Sequence, residues 1–156
     1  MGGLIGGMMS MIRQRIYLER WDWVIYAYYS VGHYYTYEIM NKLHDIGCRG
    51  MNLVRAHANL VSGNLDTGLT YSNKERRRSV MVVGTASSGR ELFNSILHEM
   101  RHVEEHIVMA DGLEPYGEDV AYLTGELGME IYRSAGNLLC DCCRKHLVKK
   151  RLAELE

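Results

Sequence analysis

The chain of 156 residues has one proline, Pro115, and no excess of charge of either sign, because 18 Lys and Arg stand against 19 Asp and Glu. The scarcity of proline excludes a Pro-rich linker or fibre and favours long helices. The balanced charge argues against nucleic acid as the main partner. No stretch approaches the roughly 18 apolar residues that a membrane-spanning helix needs. The composition therefore predicts one compact domain that does not act at a membrane.

Cysteine is also scarce, and three of the four cysteines, Cys140, Cys142 and Cys143, fall within four positions. Disulfide scaffolds instead spread their cysteines through a secreted chain. The N-terminus lacks the pattern of a signal peptide, because its first basic residue, Arg13, follows the apolar stretch. We therefore expect a cytoplasmic protein with free thiols, in which residues 1–12 form a flexible Gly/Met-rich tail and residues 13–156 form a single domain.

The N-terminal third is rich in aromatic residues, with six of the eleven tyrosines between Tyr26 and Tyr37 and two tryptophans just before them. Apolar residues at nearly every core-facing step predict a helix over residues 13–46 that stops at Gly47. No Lys or Arg interleaves the tyrosines, so stacking on nucleic-acid bases is disfavoured. We expect the segment Trp21 to Tyr37 to pack in the core or to bind a protein partner or a second copy.

The rest of the chain predicts an α+β fold, mostly helical, with a small β hairpin or sheet. Short β-prone runs at Leu69 to Asn73 and Arg77 to Gly84 predict the hairpin, in which Val80 to Val83 is the clearest strand. Residues 51–68 predict a short helix followed by a Gly/Asn/Asp loop. Further helices are predicted from the capping box at Ser88 to about Ala110, from Pro115 to about Arg133, and from about Leu138 to Leu155.

The capped helix contains the sequence His98-Glu99-Met100-Arg101-His102, an H-E-x-x-H motif. Residues four apart lie on one helical face, so His98 and His102 can present two imidazoles to one Zn²⁺ ion. Glu99 lies next to them, where it can serve as general base toward a zinc-bound water. On a helical wheel the histidines lie opposite the apolar face, so we expect a cleft and not a core position.

Zinc needs a third protein ligand, and three residues are candidates. Glu118 follows the turn after the helix, and a helical hairpin would bring its carboxylate to the ion. His106 continues the histidine face but lies about 12 Å beyond His98 along a straight helix. Glu126 lies two turns beyond Glu118. The sequence favours Glu118 and leaves the other two open.

HEMRH followed by GEDVAYLTGE resembles the gluzincin arrangement of zincin metallopeptidases, in particular short zincin-like proteins of bacteria, phages and mobile elements. The resemblance covers residues 69 to 132. It implies a zinc metallopeptidase that hydrolyses peptide or protein substrates, with His98, His102 and Glu118 as metal ligands and Glu99 as base. It also implies a substrate-binding strand beside the motif helix, at the position of Val80 to Val83.

Two features depart from that family. Arg101 is a cation within the motif, which we expect to point to solvent or to pair with Glu104 or Glu105. The transition-state hydrogen-bond donor has three candidates, Tyr122, Tyr71 and His106.

Other chemistry receives less support. Cys142, Cys143 and His146 fall near one helical face, but buried thiols are the simpler interpretation. The main alternative function is a non-catalytic zincin-like structural or interaction protein of a phage or mobile element, with Trp21 to Tyr37 as its interface.

Overall fold

A computed structural model describes residues 11–63, 65 and 68–155. Its strands are β1 (Ile12–Leu18), β2 (Trp23–Val31), β3 (Gly68–Asn73) and β4 (Arg78–Gly84). Its α-helices are α1 (Thr36–Asp45), α2 (Gly50–Ser62), α3 (Gly89–Asp111), α4 (Glu118–Leu139) and α5 (Asp141–Glu154). Short 3-10 turns, Glu19–Trp21 and His33–Tyr35, precede β2 and α1. The predicted α+β class is confirmed.

The strands form one mixed sheet in the order β1-β2-β4-β3. The pairs β1–β2 and β3–β4 are antiparallel, whereas β2 and β4 run parallel. The predicted hairpin is thus β3–β4, with Thr70 opposite Met81 and Ser72 opposite Ser79. Within the described chain, β3 pairs with a neighbour on one side only, so it is an edge strand.

Each face of the sheet carries its own hydrophobic core. On one face, Met81 and Val83 of β4 pack with apolar residues of α3 and α4. On the other face, Val80 and Val82 pack with α1 and α2. Successive residues of a strand point to opposite faces, so this alternation assigns every residue of β3 and β4 to one helical layer.

The prediction of one helix over residues 13–46 is wrong, because this segment forms β1, β2 and α1. Strand β2 is apolar at nearly every position because it lies inside the sheet and is covered on both faces, so it lacks the alternation of a half-exposed strand. The tight turn at Asp22, whose φ is 45°, separates it from β1. Four aromatic side chains of the segment are buried, namely Trp21, Trp23, Tyr28 and Tyr29.

The domain boundary predicted at residue 13 also shifts. Met11 is buried in the core beside α1 and α2, and Ile12 begins β1, so both belong to the fold. Residues 1–10, most of the predicted tail, lie outside the described residues.

The helices that follow agree with prediction more closely. The Ser88 hydroxyl accepts from the Glu91 N–H at the start of α3, and Gly112, with φ of 61°, ends the helix. Pro115 does not start α4 as predicted. It lies in the turn, three residues before Glu118, and α4 continues beyond Arg133 to Leu139. None of the helices in the described part of the chain is long and apolar enough to cross a membrane.

Candidate functional site

Helix α3 carries the H-E-x-x-H motif and lies over the β3–β4 side of the sheet, while α4 lies beside it and contacts β1. The apolar residues of α3 enter the core. The polar row of α3, which contains Glu99, His102 and His106, faces the edge strand β3. Glu99 is only 2% exposed, whereas His98 is exposed and His102 is half-buried. The two histidines are therefore accessible and the carboxylate between them is enclosed.

The two imidazoles of the motif converge. His98 Nε2 and His102 Nε2 are 3.2 Å apart, with their ring planes 74° from parallel. A tetrahedral zinc ion with bonds of about 2.0–2.1 Å places two nitrogen ligands about 3.3 Å apart. The same separation also suits an N–H···N hydrogen bond between the two rings. The pair therefore fits a zinc ion as two donors.

The predicted third ligand does not join them. Glu118 is exposed at the start of α4, the helix above the β1 side of the sheet, whereas the motif's polar row lies on the β3 side. Glu126 belongs to the same helix. Across the described residues, no group of three His, Cys, Asp or Glu side chains is placed to hold a metal ion. The described residues thus supply two protein ligands for a metal ion, His98 and His102.

Comparisons of the chain with protein-family models, with curated proteins and with solved structures find no match.

Glu99 is held against the edge strand. The Thr70 hydroxyl donates to Glu99 Oε2 at 2.6 Å. Gly68 starts β3 directly beside the carboxylate. A Cβ atom at this position would lie 1.8 Å from the Val82 carbonyl oxygen and 3.0 Å from Glu99 Cγ, so only glycine allows the approach. The buried carboxylate thus has a fixed position between α3 and β3.

A hydrogen-bond chain joins the far end of the polar row to the core. The Trp23 indole N–H donates to Ser79 Oγ at 2.8 Å, Ser79 Oγ lies 2.7 Å from Ser72 Oγ, and Ser72 Oγ lies 2.6 Å from His106 Nδ1. An indole N–H can only donate, so Ser79 Oγ accepts from Trp23. Both serine hydroxyl protons then have an acceptor if Ser79 donates to Ser72 and Ser72 donates to His106 Nδ1. We therefore assign Nδ1 as the acceptor, which leaves the proton of the neutral ring on Nε2.

The electrostatics of His106 agree with a neutral ring. Burial lowers its pKa below the ordinary 6.5, and nearby Lys74 and His102 lower it further, while Glu105 acts in the opposite direction.

The two tyrosines predicted as hydrogen-bond donors lie elsewhere. Tyr71 belongs to the opposite face of β3 from Thr70 and Ser72, because it packs on the core beside α1 and α2. Tyr122 is exposed on α4 and stacks under the Arg20 guanidinium, 5.3 Å from its ring centroid, at the β1–β2 connection. Of the three candidates, only His106 lies on the polar row of α3.

Arg101 behaves as predicted. Its side chain is exposed and lies 3.6 Å from the Glu104 carboxylate and 3.7 Å from that of Glu105, so it pairs with its own helix. The prediction of buried thiols is wrong for Cys140 and Cys142, which are exposed. Hydrogen bonds from the Cys143 backbone and thiol, and from the Cys142 backbone, lower the pKa of Cys140.

The substrate strand implied by the family resemblance is also displaced. Val80 to Val83 form β4, which is paired on both sides, with β2 and with β3, and has no edge to offer. The strand that has a free edge beside the motif helix is β3.

Sequence reasoning missed the partners supplied by β3, Thr70 and Ser72. The alternation of Leu69, Thr70, Tyr71 and Ser72 contains the signal, because it puts the two hydroxyls on one face of the strand and Tyr71 on the other. Ser79, opposite Ser72 in the register, follows from the same pattern.

Proposed function

We propose that this chain is a zinc-dependent hydrolase of peptide bonds, in which His98 and His102 bind the metal and Glu99 is the general base. The separation of 3.2 Å between the two Nε2 atoms carries this proposal, because it suits two ligands of one tetrahedral ion. Among the described residues no third protein donor lies beside the pair, so the proposal rests on these two ligands.

When bound, zinc would supply a water with a pKa of about 7. The Glu99 carboxylate takes up a proton during attack on the substrate carbonyl and returns it to the leaving amine. Thr70 fixes the direction of that carboxylate through its hydrogen bond to Oε2. Burial beside β3 keeps Glu99 away from bulk water.

Strand β3 supports a peptide as the substrate. Within the described residues no strand pairs with the outer edge of β3, and an extended peptide can pair with the backbone N–H and C=O groups there as an added strand. Because Thr70 of this strand holds Glu99, a peptide along β3 would pass beside the carboxylate.

The alternative is a non-catalytic zincin-like module of a phage or mobile element. It is favoured by one observation, namely that the described residues include no third protein ligand beside His98 and His102. In that case the histidine pair contributes a hydrogen bond or a binding-only metal, and exposed aromatic residues such as Tyr34 and Tyr37 remain available for a partner.

Untagged protein, Glu99→Gln and the matched control Glu114→Gln, at an exposed position after α3, separate these functions by zinc analysis and cleavage of casein peptides. We expect zinc in all three proteins and a loss of cleavage of about 100-fold or more in Glu99→Gln alone, because a general base contributes about that factor. Zinc without cleavage by the native protein would support the non-catalytic module. Protein without zinc would contradict both metal functions.

A further inference from the structure

A groove of about 400 Å³ follows β3 between α2 and the C-terminal half of α3. Its polar walls come from Asn52, Arg55 and Asn59 of α2, from Lys74 at the end of the hairpin and from His106. The groove also reaches Thr70, the residue that holds Glu99. It therefore continues the candidate site along the strand.

The described lining of the groove has charge of one sign. Over the described part of the chain, two cations, Arg55 and Lys74, and no carboxylate line it. Lys74 Nζ contacts only the Met109 sulfur, at 3.9 Å, and Arg55 has no ion pair among the residues that the structure describes. Cations left without a partner in a groove attract an anionic ligand.

His106 adds a neutral donor of fixed direction. With Nδ1 assigned as the acceptor at the end of the chain from Trp23 through Ser79 and Ser72, the proton of the neutral ring lies on Nε2. In this tautomer the Nε2–H group of His106 favours a ligand with an oxygen acceptor over a ligand with a hydrogen-bond donor. The groove thus offers an N–H group and two cations to one ligand.

We propose that the groove binds acidic side chains of an extended peptide laid along β3, with Arg55 and Lys74 pairing with its carboxylates and His106 donating from Nε2. A peptide fits better than a nucleic acid, because the free edge of β3 can pair with peptide backbone and the whole chain has a net charge of −1. This inference rests on the proposed function, in that it names the peptides which the site would hydrolyse.

Binding is measured separately from cleavage, by fluorescence anisotropy with full-length Glu99→Gln at about 0.15 M salt. The probe is a labelled peptide of Val, Thr and Glu, and the comparison peptide has Gln in place of every Glu. Arg55→Glu combined with Lys74→Glu tests the groove. Lys145→Glu combined with Lys149→Glu, on exposed α5, is the control with the same change in net charge.

We expect the Glu peptide to bind about tenfold more tightly than the Gln peptide. That preference should vanish in the groove variant and persist in the control. Equal binding of the two peptides, or equal loss in both variants, would overturn the inference. Tighter binding of a single-stranded oligonucleotide that is lost in the groove variant would assign the groove to nucleic acid instead.

The neutral pair Arg55→Gln and Lys74→Gln replaces the reversal variant if circular dichroism shows that the latter is unfolded. Tight binding of the Glu peptide without cleavage by the native protein would end the proposed hydrolase and leave the peptide site intact. Cleavage by the native protein without any preference for acidic peptides would support the hydrolase and overturn the acidic-peptide site.

Discussion

Helix α3 has two sides that the molecule uses differently. Its core side is formed by buried apolar residues: Leu92, Ile96, Met100, Val103 and Ile107. Its β3 side carries Glu99, His102 and His106, of which Glu99 and His106 have hydroxyl partners on the edge strand. Stability on the core side scales with the apolar area that is removed from water. On the β3 side, a buried polar group is tolerated only while its hydrogen bond persists.

The difference explains why one helix can hold both a core and a candidate site. The apolar residues fix its position over the sheet, and the polar row then meets Thr70 and Ser72 at a fixed distance. Changes on the core side should affect the whole fold, whereas changes on the β3 side should affect particular hydrogen bonds and ligands.

The largest effect is expected on the core side. Ile107→Ala should lower the free energy of unfolding by about 2–5 kcal/mol, because Ile107 is fully buried and its truncation leaves a cavity. Urea denaturation followed by circular dichroism measures this loss. Leu97→Ala, on the same helix but 42% exposed, should cost less than about 1 kcal/mol. Equal losses would mean that α3 does not pack as described.

A smaller loss is expected from the hydrogen-bond chain on the β3 side. Ser79→Ala should cost about 1–3 kcal/mol, because it leaves the buried Trp23 N–H without its acceptor. In a double-mutant cycle, combining it with Trp23→Phe should cost less than the sum of the two single changes. Strict additivity would show that Trp23 and Ser79 are not coupled.

The smallest effect concerns pH. The folded protein lowers the pKa of His106, so the unfolded chain binds a proton more readily near the ordinary 6.5. Stability should therefore fall as the pH drops below about 6.5, and His106→Gln should flatten that slope. Urea midpoints of both proteins at several pH values provide the comparison. Identical slopes would contradict a neutral His106 held by Ser72.

Sequence reasoning reached those parts of the fold whose signals are local. The Ser88 cap, the Gly112 stop and the β3–β4 hairpin all depend on neighbouring residues, and all are present. The prediction for the N-terminal third was wrong because β2 is covered on both faces, which removes the alternation of apolar and polar residues that distinguishes a half-exposed strand. Its aromatic and β-branched residues indicated a strand all the same.

The sequence predicted only part of the candidate site, for a similar reason. The proximity of His98 and His102 follows from helical spacing alone, and the two nitrogens do converge. The location of Glu118 depends on how α4 packs across the sheet, a long-range feature that no local pattern encodes. The same holds for Thr70 and Ser72, whose role depends on β3 being the edge strand under α3.

The central claim is that the histidine pair binds zinc, and a competitive zinc titration of the untagged full-length protein tests it most directly. The native protein should bind one zinc ion per chain. His98→Ala and His102→Ala should each weaken binding by about 100-fold or more, because each removes a direct ligand. His106→Gln should remain within a few-fold of the native protein. Equal zinc affinity in the native protein and in His98→Ala would contradict the claim.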